Sequence, residues 1–233
     1  MMMSGKTIGY ARVVSVAALA MAVALWPAGA RAQTAGEMGG GMSGHMDGKM
    51  AGAMAEPMAH ATPKVGSKAP EFALQSLDGA TVRLSDEVAR GPVVLVVLRG
   101  WPGYQCPFCT RQFADFLSHA SELASHGARV IFVYPGPTDG LQEHAQAFTA
   151  NRQMPPNFRV LIDSDYAFTL AYGLRWNAPQ ETAYPATFVL DPTGTVRFVR
   201  VSREHGDRVP AAETIKVLAA TRHMPGRRLP SKG

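Results

Sequence analysis

Apolar positions along this chain fall into runs of different period, and each period predicts an element. Phe72-Ala-Leu-Gln-Ser-Leu77, then Asp78-Gly79, then Thr81-Val-Arg-Leu84 predicts a β-hairpin closed by an Asp-Gly turn. Val93 to Leu98 is a continuous valine-rich run, the signature of a strand buried on both faces of a sheet. Phe113, Phe116, Leu117, Ala120 and Leu123 recur at helical spacing and predict a helix over 107–125, ended by Gly127. Val130-Ile-Phe-Val-Tyr134 predicts the next strand. A helix should follow from a Thr138 or Asp139 cap to about Arg152, where Pro155-Pro156 stops it. Phe158-Arg-Val-Leu-Ile162 reads as a short strand, and Asp165 to Tyr172 as a short helix closed by Gly173. Ala186-Thr-Phe-Val-Leu190 and Thr195 to Val201 read as a second hairpin across Asp191-Pro-Thr-Gly194, and Ala211 to Arg222 as a closing helix begun by Pro210. Strands alternating with helices imply an α/β domain: a central, mostly parallel sheet, helices on both faces, and an antiparallel hairpin at one edge.

The ends of the chain carry no such pattern. Residues 1–32 combine Lys6 and Arg12, an apolar run from Val13 to Trp26, and the small-residue series Ala28-Gly-Ala30 and Ala30-Arg-Ala32. That is the layout of a secretory signal peptide. The apolar run is too short to span a hydrocarbon core of about 30 Å as a helix. The expectation is an exported protein, periplasmic or extracellular, with no stable membrane anchor after cleavage. Removing Lys6, Arg12 and Arg31 from the 23 basic residues leaves 20 against 18 acidic ones. The folded part is therefore near neutral, and the basic tail at 223–233 adds no nucleic-acid footprint.

Residues 33–64 form a Met/Gly/His-rich stretch that reads as a flexible linker. Met38, Met42, Met46, Met50, Met54 and Met58 recur every four residues, with His45 among them. Two readings stand. Thioether sulfur and imidazole are ligands for Cu(I), so the tract can capture copper. Alternatively it is a tether whose methionines scavenge oxidants.

The chemistry concentrates in Trp101-Pro-Gly-Tyr-Gln-Cys-Pro-Phe-Cys109, which holds both cysteines of the chain. Cys106 follows a buried strand and opens a helix, where unpaired N–H groups and the helix dipole favour a thiolate. Pro107 suits the first helical position. Cys109 lies three residues on, so the pair can close a disulfide and run a cycle of attack, mixed disulfide and resolution. A bridge over so short a loop adds little stability, which argues against a structural role. Zinc would need two further Cys or His ligands at suitable spacing, and the sequence offers none. Among the neighbours, Trp101 and Tyr104 either wall the dithiol or pack on the helix. Arg99, at the end of a buried strand, needs an acidic partner. In Ser202-Arg-Glu-His-Gly-Asp-Arg208, the residues Arg203, His205 and Arg208 either approach the dithiol or lie in a solvated loop.

Val65-Gly-Ser-Lys-Ala-Pro-Glu-Phe-Ala-Leu74, the Leu77-Asp-Gly79 turn, Arg99-Gly100 and Tyr184-Pro-Ala-Thr-Phe-Val-Leu-Asp191 resemble the AhpC/TSA (peroxiredoxin and redoxin) family over about residues 65–222. The resemblance implies a thioredoxin-like fold and a thiol oxidoreductase that needs no cofactor. It implies peroxide or protein-disulfide substrates and a thiol electron donor. Pro102 and Cys109 occupy the proline and peroxidatic-cysteine positions of the family, while Cys106 stands in place of its Thr. Pro185 falls where most peroxiredoxins carry an Arg, and resembles the cis-proline of thioredoxins. The site is thus expected to be a hybrid. Either Cys109 attacks peroxide, with Arg111 or Arg203 stabilising charge, or Cys106 attacks a disulfide and Cys109 resolves. Copper-delivery proteins of the Sco type share the fold and pair a dithiol with a distant His, for which His205 and the Met-rich tract would serve.

Overall fold

The structure is a computed structural model that describes residues 61–222. The expected signal segment, almost all of the Met-rich tract with its copper candidates, and the basic tail lie outside those residues. The described chain runs β1 (Ala73–Ser76), β2 (Thr81–Arg83), α1 (Leu84–Val88), β3 (Val93–Val97), α2 (Pro107–Ser118) and α3 (Ala120–Ser125). It continues through β4 (Arg129–Gly136), α4 (Leu141–Thr149), β5 (Phe158–Ser164), α5 (Ala167–Ala171), β6 (Ala186–Leu190), β7 (Val196–Val201) and α6 (Ala211–Arg222). No described helix is long and apolar enough to cross a membrane.

The seven strands form one sheet in the order β2-β1-β5-β4-β3-β6-β7. Its three central strands are parallel: Val93 to Val97 of β3 pair with Arg129 to Val133 of β4, and β4 pairs in parallel with β5. The four remaining pairings, β1 with β2, β1 with β5, β3 with β6 and β6 with β7, are antiparallel. The thioredoxin-like layout is as expected, but the sheet is mixed, with its parallel part confined to the centre. The reason lies in the connections. The helical connections from β3 to β4 and from β4 to β5 return the chain for parallel pairing, while β1–β2 and β6–β7 are joined by tight turns that enforce antiparallel pairing.

Every residue of β3 is buried. Val94, Val96 and Leu98 pack on one side with α2, α3, α4 and α6, and Val93, Leu95 and Val97 on the other with Leu84 and Phe168. Burying such a side chain contributes about 1.5–3 kcal/mol, so the run anchors the fold and fixes where its C-terminal end emerges.

Three local expectations are corrected. The helix expected over 107–125 breaks at His119 (φ −101°, ψ 12°). Ser118 Oγ donates to the Asp115 carbonyl at 2.7 Å, and His119 Nδ1 lies 2.9 Å from the same oxygen, so side chains compete for a helical acceptor. Leu84 starts a helix instead of ending a strand, because Glu71 accepts both the N–H and the hydroxyl of Ser85. Neither Thr138 nor Asp139 caps α4. Gly140 (φ 65°) precedes that helix, and the Thr138 hydroxyl donates to Asp165 at 2.8 Å.

Candidate active site

The loop after β3 is fastened to its neighbours before the cysteines are reached. Leu98 N–H donates to the Val133 carbonyl at 2.9 Å and Trp101 N–H to the Pro135 carbonyl at 3.0 Å. Between them Gly100 has φ +70°, and a Cβ there would run into the Pro135 carbonyl oxygen, so only glycine fits. The Trp101 ring stacks on His144 of α4 at 3.6 Å. Gln105 donates to the His144 carbonyl at 2.7 Å and accepts the Tyr134 hydroxyl at 2.9 Å. The path of residues 98–105 is thus set by β4 and α4, and it delivers Cys106 to the N-cap of α2 with Pro107 in the first turn.

Both cysteines are free thiols, 2% and 1% exposed. A hydrogen bond links the two sulfurs, and its two ends differ. Cys106 is lowered to about 5 by the hydrogen bond from Cys109, against the opposing effect of burial, with help from the backbone N–H groups of Cys109 and Phe108 and the charge of Arg208. Cys109 is raised, by its bond to Cys106 first, then by burial and by the Cys106 charge. The charge is thus favoured on Cys106 and the proton on Cys109. Arg99 N–H donates to Cys109 Sγ at 3.3 Å, and Arg208 Nη2 lies 3.9 Å from the same sulfur.

The Arg99 side chain is buried and carries its charge into the protein. Burial opposes that charge, but hydrogen bonds from Arg99 to Glu181 (2.6 Å) and Tyr104 outweigh it. Its other nitrogen donates to the Gln180 carbonyl at 2.7 Å. Glu181 in turn meets His205 Nε2 at 2.9 Å. The expected acidic partner of Arg99 is thus Glu181, and the same carboxylate ties down the 202–210 loop that brings Arg208 to the dithiol.

Of the other candidates, Trp101 and Tyr104 brace the loop through His144 and Arg99. Arg111 lies over the Phe108 ring at 4.6 Å, and Arg203 over the Tyr184 ring at 5.4 Å. The guanidinium that reaches the sulfurs is that of Arg208. The cis-proline likeness of Pro185 is corrected: no cis peptide occurs among the described residues. Tyr184 N–H donates to Leu174 and the Pro185 carbonyl accepts Ser202 N–H, so extended chain on both sides carries Pro185 straight into β6. His205 faces Glu181, and no group of three His, Cys, Asp or Glu able to hold a metal occurs among the described residues. Among the described residues, the His205 that a Sco-like site would use is thus paired with Glu181. Gln105, Gln112, Tyr134 and Glu181 are not legible as site residues: Tyr134 and Glu181 come from segments with no chemical motif, and the amides of Gln105 and Gln112 find their partners, His144, Tyr134 and Val209, only through the fold.

The AhpC/TSA family model matches residues 65–199. Relatives include a putative peroxiredoxin of Mycobacterium tuberculosis, 29% identical over 56% of this chain and 80% of its own length. Peroxiredoxin Bcp of Bacillus subtilis is 26% identical over 67% and 96%, and the thiol-disulfide oxidoreductase ResA of the same organism 27% identical over 56% and 64%. Peroxidoxin BcpB of Mycobacterium tuberculosis superposes with a TM-score of 0.53 at 23% identity, covering 70% of this chain and 99% of its own. It shares the fold. With a paired dithiol at the head of α2 and a family match across the domain, the chain belongs to the AhpC/TSA family and is a thiol oxidoreductase.

Proposed function

We propose that this protein is an exported peroxide reductase in which Cys106 is the attacking thiolate and Cys109 the resolving thiol. The observation that carries the reading is the placement of the two sulfurs: Cys106 is the N-cap of α2, where backbone N–H groups and the bond from Cys109 favour its thiolate, while Cys109 is buried against the Arg99 N–H and favours the thiol. The Cys106 thiolate attacks a hydroperoxide oxygen, the O–O bond breaks, and Cys106 becomes a sulfenic acid. The proton held by Cys109 goes to the departing alkoxide or hydroxide. Cys109, now a thiolate beside the Arg208 guanidinium, attacks the sulfenic sulfur, forms the Cys106–Cys109 disulfide and releases hydroxide. Both sulfurs are covered, so a covering side chain must move to admit substrate. A thiol donor then restores the dithiol. Export is supported by Lys6, Arg12, the Val13–Trp26 run and the Ala-x-Ala series.

The test uses Cys106→Ser and Cys109→Ser with hydrogen peroxide. Cys106→Ser should lose at least 100-fold in peroxide consumption. Cys109→Ser should still give one sulfenic acid per chain, trapped by a dimedone-type reagent, but no disulfide. Sulfenic acid appearing on Cys109 instead would reverse the assignment.

A further inference from the structure

A cavity of about 250 Å³ opens along α2, beside the turn that carries Cys109. Phe108, Arg111, Gln112 and Asp115 line it from one stripe of α2, and Arg208 lines it from the facing loop. Cys109 lies three residues of α2 before Gln112, a rise of about 4.5 Å. Arg208 lines the cavity and places Nη2 3.9 Å from the Cys109 sulfur. Two polar atoms here are buried without a partner: Gln112 Oε1 and Arg208 Nε. Gln112 is 5% exposed, and its amide nitrogen donates to the Val209 carbonyl at 3.1 Å. A carbonyl can only accept, so the amide orientation is fixed and Oε1 is left open. Next to it, Asp115 accepts Ala211 N–H at 2.7 Å and faces His119 at 3.3 Å. Arg111, on the same stripe of α2, is exposed at the rim. The cavity thus has a carboxylate and two guanidinium groups in its walls, and the side chains of Gln112 and Arg208 that line it each bury a polar atom without a partner. Unpaired buried groups of both kinds are rare in folded proteins.

We propose that this cavity docks the electron donor, a small thiol carrying an α-amino carboxylate, with its carboxylate toward Arg111 and Arg208 and its ammonium toward Gln112 Oε1 and Asp115. The proposal rests on the dithiol cycle above and adds the class of its reductant. The donor thiolate bonds to Cys109 Sγ, the Cys106–Cys109 bond breaks, and Cys106 leaves as a thiolate. A second donor thiolate attacks the donor sulfur of the mixed disulfide. The products are the donor disulfide and Cys109, which takes one donor proton while the other goes to solvent. Two thiols are oxidised and one disulfide is reduced.

The oxidised full-length protein is mixed with L-cysteine, with 3-mercaptopropionate, which lacks the ammonium, and with cysteamine, which lacks the carboxylate. Newly freed cysteines are counted by alkylation and mass spectrometry, at equal thiolate concentration. L-cysteine should react at least tenfold faster than either analogue, and its rate should saturate. That advantage should fall below threefold in Arg111→Gln, an exposed position that leaves folding intact, and in Gln112→Met. Rates that follow thiolate concentration alone, or an advantage that survives in both variants, would overturn the proposal and leave the cavity to water. Dithiothreitol separates the two levels. If the wild-type protein it reduces turns over peroxide while L-cysteine shows no advantage, only the docking site falls. If the protein it reduces does not turn over, the dithiol cycle falls as well.

Discussion

Alternate residues of the central strands serve two unlike cores. On the face away from the cysteines, Phe72 meets Phe168 edge-on at 5.3 Å, Phe168 stacks on Tyr172 at 4.1 Å, and Tyr172 meets Phe188 at 5.6 Å. Polar groups there find partners: the Tyr172 hydroxyl donates to the Pro70 carbonyl at 2.8 Å, and Asp163 takes the N–H groups of Phe168 and Thr169. On the other face, Phe113, Phe116 and Phe132 pack equally tightly. Yet that face also buries two thiols, an open amide oxygen and an open guanidinium nitrogen. Among the described residues, no buried side-chain nitrogen or oxygen on the first face lacks a partner. The other holds polar groups that make chemistry possible and give little back in stability.

If this division is real, substitutions on the two faces should separate stability from reactivity. The largest effect belongs to the satisfied face. Phe188 is fully buried against Tyr172. Phe188→Ala should cost about 3–5 kcal/mol, lowering Tm by roughly 6–20 °C for a domain of this size. Alkylation of Cys106 in the protein that remains folded should change less than twofold. Calorimetry beside an iodoacetamide time course checks both halves. A loss of thiol reactivity as large as the loss of stability would dissolve the distinction.

The cysteine face should show itself in pH dependence. Cys106 sits at about 5, so its thiolate persists above that pH and is lost as pH falls through it. Alkylation of Cys106 should be nearly flat from pH 8 to 6 and drop about tenfold per unit below 5, as a single titrating thiolate must. The hydrogen bond from Cys109 is the largest cause of the lowering, so Cys109→Ala should move the midpoint upward. A wild-type midpoint near the ordinary cysteine value would remove the basis for naming Cys106 the nucleophile.

How far the sequence could be read follows the same line. The satisfied face was legible almost completely, because burial writes itself as periodicity. Val93 to Leu98 announced a two-faced strand, and the hairpins at Asp78-Gly79 and Asp191 to Gly194 announced their turns. The cysteine pair was legible because helix-start chemistry and C-x-x-C spacing are local. What surrounds the pair was not. Glu181 reaches Arg99 across 82 residues, and Arg208 reaches Cys109 across 99. Nothing in Ser202 to Arg208 told which of Arg203, His205 and Arg208 would turn inward. The answer depends on His205 docking on Glu181 and on Gly206 lying against the Phe108 ring. Helix breaks such as His119 escaped for a related reason, since side chains competing for one carbonyl leave the hydrophobic stripe unchanged.

Arg208 offers the finest test of the comparison. Its charge is the last and smallest of the causes that lower Cys106, and it acts on Cys109 from 3.9 Å. Its Nε is buried without a partner, so the side chain bears a desolvation cost that no hydrogen bond at that atom offsets. Arg208→Gln removes both the charge and the orphan donor. The Cys106 midpoint should rise by a fraction of a pH unit. At pH 5, where the thiolate is half formed, alkylation should slow only a few-fold, while at pH 8 it should hardly change. Stability should stay within about 1 kcal/mol of the parent, because the lost contacts and the relieved desolvation oppose each other. Phe188→Ala predicts the reverse: a large loss of stability with reactivity kept. A parent-like pH profile in Arg208→Gln together with a marked fall in Tm would make Arg208 a structural residue, and the cysteine face no different in kind from the other.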